Sequence, residues 1–124
     1  MFIPNHKHIL LQGYIKNAPK TEEEINVWFE NLVSLVRMKV VAGPISKYVT
    51  EVGNEGITGV VSLATSHAAI HIWDSESPCF FQFDLYSCSD FTTQEIIEYF
   101  DETFGLVEYK HMFIDRNNFD FKVE

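Results

Sequence analysis

Residues 56–73 read Gly56-Ile57-Thr58-Gly59-Val60-Val61-Ser62-Leu63-Ala64-Thr65-Ser66-His67-Ala68-Ala69-Ile70-His71-Ile72-Trp73. Two apolar, β-rich runs flank one polar break at Thr65-Ser66-His67, a pattern that predicts two strands joined at that break. Downstream, Phe81, Phe83 and Leu85 alternate with Gln82, Asp84 and Tyr86. That period of two predicts a strand with one buried face, ending beside Cys88. Upstream, Met38 to Ala42 is β-rich and stops at Gly43-Pro44, and Glu51 to Gly56 carries turn formers that separate two sheet strands. His8 to Ile15 reads as a first strand, closed by Lys16-Asn17-Ala18-Pro19.

Two helices interrupt these strands. Thr21 followed by Glu24 has the form of a capping box, and Ile25, Trp28, Phe29, Leu32 and Val36 then recur on one helical face, which predicts a helix from about Thr21 to Arg37. Thr92 and Glu95 repeat the signal before Ile96, Phe100 and Phe104, with Gly105 as the stop. A last strand is expected over Val107 to Asp115, with a loosely held tail from Asn117 to Glu124. The order and the short connections predict an α+β fold: a two-layer sandwich, mainly antiparallel sheet, with two helices packed on one face. The length suits a single domain over residues 1–124.

Composition narrows the function. Eighteen acidic residues against nine Lys and Arg give a formal charge of -9, which repels phosphate backbones and speaks against nucleic-acid binding. The same field suits a small cationic partner, though solubility alone is its commoner meaning. Polar residues interrupt every apolar stretch well short of the roughly 20 residues that span a bilayer. Met1 to Lys7 lacks the features of a secretory signal, so a cytoplasmic chain with Cys79 and Cys88 both reduced is expected.

Several residues could carry chemistry. Ser66 sits at the break between two apolar strands, where a strained backbone would favour attack of its hydroxyl on the preceding carbonyl. Alone it reads as a turn serine. His71, five residues on, is a candidate base if the chain folds sharply enough to reach back, and is otherwise a core histidine. Cys88 closes the Phe81–Leu85 strand, where a thiol can face a cleft and pass a proton, or simply pack. His67 and His71 share a strand face, but no ligand spacing accompanies them or His6 and His8, and no metal is expected. A hydrolase triad of Ser66, His71 and Asp84 can be drawn, without the nucleophile elbow that would frame it.

Taken together, Gly56-Ile57-Thr58-Gly59-Val60-Val61, Thr65-Ser66-His67, Ile70-His71-Ile72-Trp73 and Asp84-Leu85-Tyr86-Ser87-Cys88 resemble, in order and spacing, the core of bacterial-type S-adenosylmethionine decarboxylases, including short phage-borne forms. The resemblance implies a proenzyme that cuts itself between Thr65 and Ser66, giving a β chain, residues 1–65, and an α chain from residue 66 that begins with a pyruvoyl group made from Ser66. It implies that His71, assisted by the Thr58 hydroxyl, removes the serine α-proton. The pyruvoyl carbonyl then forms a Schiff base with the substrate amine and accepts electrons as carbon dioxide leaves. Cys88 would return a proton, and Tyr48, Trp73 and Glu76 would line the substrate pocket. The product would feed spermidine synthesis, and a homodimer with shared pockets is implied.

The chain departs from that pattern at identifiable points. Thr65 stands where the family usually has Glu, Thr58 where it usually has Ser, and Asp74-Ser75-Glu76 where Pro-Glu usually follows the Trp and holds the substrate's ribose. Relatives that decarboxylate L-ornithine or L-arginine make those amino acids the alternative substrates. An unprocessed, non-catalytic binding homologue is a further alternative, against which the joint presence of Ser66, His71 and Cys88 argues.

Overall fold

A computed structural model describes residues 5–124, the side chain of Asn118 excepted; the first four residues of the Met1–Lys7 segment lie outside it. The elements run β1 (Lys7–Ile15), α1 (Glu22–Leu35), β2 (Val40–Val49), β3 (Gly56–Leu63), β4 (Ser66–Trp73), β5 (Cys79–Ser87), α2 (Thr93–Phe104), β6 (Leu106–Asn118) and β7 (Asp120–Val123). All seven strands form one antiparallel sheet in the order β2-β3-β4-β5-β1-β6-β7. The expected two-layer α+β sandwich is what forms.

Strand alternation sorts the side chains into two faces. Ile9, Leu11 and Ile15 of β1, Val61 and Leu63 of β3, Ala68, Ile70 and Ile72 of β4, and Phe81, Phe83 and Leu85 of β5 are buried in the core with both helices. Trp28 joins the layers: its ring lies 5.9 Å from Phe83 on the sheet and 5.0 Å from Phe104 on α2, and its indole N–H donates to Thr103 Oγ1 at 2.9 Å. Gly59 is needed for close approach, since a Cβ there would sit 2.8 Å from the Phe29 ring. No helix among the described residues covers the opposite sheet face. That face presents Leu10, Tyr14, Val60 and Met112, all well exposed.

Both helices start as their caps predict. Thr21 Oγ1 accepts from Glu24 N–H and Thr92 Oγ1 from Glu95 N–H, each at 3.1 Å. The α2 box is reciprocal, whereas Glu24 turns to the Lys20 N–H instead of that of Thr21. Two expectations are corrected. The second strand does not end at Gly43-Pro44 but runs through it to Val49 with register shifts, because β2 is a sheet edge and an edge strand can spare the N–H that proline lacks. The tail is not loose: β6 turns at Phe119, which has φ 65°, and returns as β7, with Phe113 and Glu124 exchanging backbone hydrogen bonds of 3.1 and 2.7 Å. No helix among the described residues is long and apolar enough to cross a membrane.

Candidate active site

The break between β3 and β4 is a tight hairpin in which Leu63 pairs with Ser66 and only Ala64 and Thr65 turn the chain. Thr65 has φ 56°. A β-branched residue in the left-handed region is a conformational outlier, so the strain expected ahead of Ser66 is present at the residue whose carbonyl precedes it. Ser66 is buried, and its Oγ accepts from the Cys88 N–H at 3.2 Å. Thr65 Oγ1 donates to Ala64 O at 2.7 Å and lies 3.8 Å from Cys88 Sγ. Cys88 is exposed and free. The Thr65 carbonyl oxygen lies 2.7 Å from His6 Nε2.

A second group occupies the far end of β4. Thr58 and His71 are register partners, and Thr58 Oγ1 lies 3.0 Å from His71 Nδ1. Trp73 is nearby, its ring 6.3 Å from His71, with its indole N–H donated to Asn54 Oδ1 at 3.2 Å. The Tyr48 hydroxyl donates to Asp74 Oδ1 at 2.9 Å, and that bond, followed by slight burial and the charges of Asp74 and Glu55, raises its pKa. Glu76 is exposed in the β4–β5 connection. His71 also borders a groove of about 500 Å³ on the uncovered sheet face, floored by Leu10, Gln12, Gln82 and Asp84 and walled by Lys110 and Met112.

These groups do not meet within one chain. The sharp fold that would carry His71 back to Ser66 is absent, because β4 runs unbroken from Ser66 to Trp73. Five residues of strand span roughly 16 Å, and an odd separation puts the two side chains on opposite faces. Ser66 accordingly is buried and His71 exposed. The drawn Ser66-His71-Asp84 triad fails for the same reason: His71 pairs with Gln82, while Asp84 sits opposite Ala69.

Asp84 has other partners. His8 and His67 both lie opposite Tyr86 on the strands flanking β5, which brings each imidazole over Asp84. Asp84 Oδ2 is 2.8 Å from His8 Nε2 and 3.3 Å from His67 Nε2. Burial pushes the Asp84 carboxyl up, but the hydrogen bond and charge of His8, reinforced by His67, outweigh it and hold the pKa below the usual carboxylate value. The three ligand atoms lie within 4.8 Å of one another, a two-histidine, one-carboxylate set. Sequence spacing concealed this cluster, since its members come from three strands. The direct hydrogen bonds already satisfy the carboxylate oxygen that faces both rings.

Comparison with known proteins bears on the whole arrangement. The S-adenosylmethionine decarboxylase proenzyme of Archaeoglobus fulgidus is 26% identical to this chain over 112 residues, covering 89% of this chain and 96% of that protein. The family model described as S-adenosylmethionine decarboxylase matches residues 7–117, from the first residue of β1 almost to the end of β6 and so across Thr58, Ser66, His71 and Cys88. With the match spanning the sheet and both helices, the chain belongs to the S-adenosylmethionine decarboxylase family.

Proposed function

We propose that this chain is a self-processing pyruvoyl-dependent decarboxylase of S-adenosylmethionine, cut between Thr65 and Ser66. Family membership supports the reaction class and favours S-adenosylmethionine over ornithine or arginine. The observation that carries the cleavage site is the left-handed Thr65 set directly before a buried Ser66, with Cys88 alongside. These residues fit a serine-derived pyruvoyl group: strain raises the energy of the amide to be broken, and the nucleophile is held in place beside it.

Processing balances as follows. Ser66 Oγ adds to the Thr65 carbonyl carbon, and the carbonyl electron pair moves to oxygen. The carbon–nitrogen bond breaks, the departing amine takes the proton lost by the hydroxyl, and an ester replaces the amide. A base then removes the Ser66 α-proton as the Thr65 carboxylate leaves. Water hydrolyses the resulting enamine through its imine, ammonia departs, and a ketone remains at the new terminus. That carbonyl supplies the electron sink for decarboxylation.

His71, oriented by Thr58, is the base for the α-proton, and it acts on Ser66 of a second copy. A general base must come within about 3 Å of its proton, and the span along β4 forbids this inside one chain. The uncovered sheet face carries His71, the groove and exposed Leu10, Tyr14, Val60 and Met112, and is the surface over which two copies would meet; Ser66, whose side chain faces the core, would be met at the rim of the β3–β4 hairpin, where Cys88 is exposed. A two-fold arrangement of this kind is self-complementary, so it would form two equivalent sites, each with Ser66 and Cys88 from one protomer and Thr58 and His71 from its partner. Cys88 provides the proton for the carbon that loses carbon dioxide. Tyr48, Trp73 and Glu76 bind the substrate, whose positive charge suits the acidic chain. A working thiol at Cys88 fits a reducing cytosol.

Intact-mass measurement of the purified protein, followed by assay of carbon dioxide released from S-adenosylmethionine, tests this reading. Two fragments, residues 1–65 and a pyruvoyl-capped 66–124, with release from S-adenosylmethionine, are expected. A Ser66→Ala chain should stay whole and inert. Full activity in that variant would refute the mechanism.

A further inference from the structure

We infer that His6 is the electrophilic catalyst of self-cleavage, its Nε2–H holding the Thr65 carbonyl oxygen as that oxygen becomes an anion; this rests on the reading that the chain is cut at Thr65–Ser66. The two atoms are 2.7 Å apart although 59 residues separate them in sequence. A carbonyl oxygen only accepts, so the proton of this hydrogen bond belongs to His6 Nε2. The other ring nitrogen, Nδ1, is buried and has no hydrogen-bond partner among the described residues.

The donor is also held still. His6 is 3% exposed, and its ring stacks on Tyr86 with centroids 4.4 Å apart and planes 8° from parallel. Its carbonyl accepts from the Arg116 N–H at 2.9 Å, and the next residue, Lys7, enters the sheet between Ser87 and Asp115. A donor fixed by packing does not have to reorient as charge develops, which is what makes an oxyanion contact effective. When Ser66 Oγ adds to the Thr65 carbon and the electron pair moves to the Thr65 oxygen, His6 stabilises the new charge without gaining or losing a proton. The left-handed backbone of Thr65 contributes separately, by raising the energy of the starting amide. Sequence inspection could not find this role, since His6 has no neighbour in the chain with which it forms a motif.

The test is a time course of cleavage in pulse-labelled cell-free synthesis, read by gel and intact mass, for wild type, His6→Ala, His6→Phe, His6→Gln and Ser66→Ala. His6→Phe keeps an aromatic ring to stack on Tyr86 but has no donor, and His6→Gln keeps an N–H donor. Circular dichroism of each precursor establishes that it is folded. Loss of one oxyanion donor slows such a step by about 10²- to 10³-fold, the slowing expected for Ala and Phe, with Gln within about tenfold of wild type. Should the Ala chain fail to fold, the Phe chain decides. Cleavage of the Ala or Phe chain at the wild-type rate, with Ser66→Ala uncut, overturns the role of His6 and leaves the cleavage site standing. Cleavage of Ser66→Ala, or an uncut wild type, overturns the cleavage site itself and His6 with it.

Discussion

Co-expression of a Cys88→Ala chain with a His71→Ala chain tests the shared site directly. Ser66 and His71 are five residues apart on the continuous strand β4, roughly 16 Å, against the reach of about 3 Å that proton transfer needs. Each variant alone forms homodimers in which both sites are defective. In a mixed dimer, Ser66 and Cys88 of the His71→Ala chain face Thr58 and His71 of the Cys88→Ala chain, making one intact site, while the other site carries both defects. Random pairing at equal expression makes about half of the dimers mixed, and one working site in two gives about one quarter of wild-type activity. The assay is carbon dioxide release from S-adenosylmethionine, with differently tagged chains so that the mixed dimer can be isolated and its single cleaved chain identified by mass. That cleaved chain should be the His71→Ala one. Mixed dimers no more active than the separate variants, or cleavage confined to the Cys88→Ala chain, would refute the shared-site argument.

Three further outcomes follow from the geometry. Thr65→Gly should remove the cost of a left-handed β-branched residue, about 1–2 kcal/mol, and so slow cleavage by roughly 5- to 30-fold, measured by the same time course. Asp84→Asn tests the histidine cluster. Because the folded-state pKa of Asp84 is depressed, its contribution to stability is present above the unfolded value of about 3.9 and is lost as pH falls through the lower folded value. Urea titrations at pH 5 and pH 2.5 should therefore show the variant losing less stability on acidification than the wild type. Trp28→Ala should destabilise by about 3–5 kcal/mol in urea denaturation, since the ring is buried among four aromatic side chains of α2 and the sheet and its N–H satisfies Thr103.

Much of the fold was legible in the chain because it is written in local signals. Threonine caps opened both helices where expected, and the alternation of Phe81, Phe83 and Leu85 with Gln82, Asp84 and Tyr86 assigned the faces of β5. The misread portions are those where position in the sheet overrides local propensity. Gly43-Pro44 reads as a stop, yet β2 continues through it as an edge strand, and the polar and aromatic tail forms β7 only because β6 offers it an unpaired edge.

The candidate site divides along the same line. The chain on its own supplies the candidate groups: a serine at a break between two strands, Thr58 and His71 in the flanking runs, and a cysteine ending the next-but-one run, in an order that resembles the family's core. Which of these groups meet is set by the fold. It separated Ser66 from His71 along a straight strand, placed His6 on the Thr65 carbonyl, and gathered His8, His67 and Asp84 from three strands. Spacing along the chain reports on contacts within a strand or a turn. Contacts between strands depend on sheet order and register, which are set by burial of the whole core and not by the residues that touch.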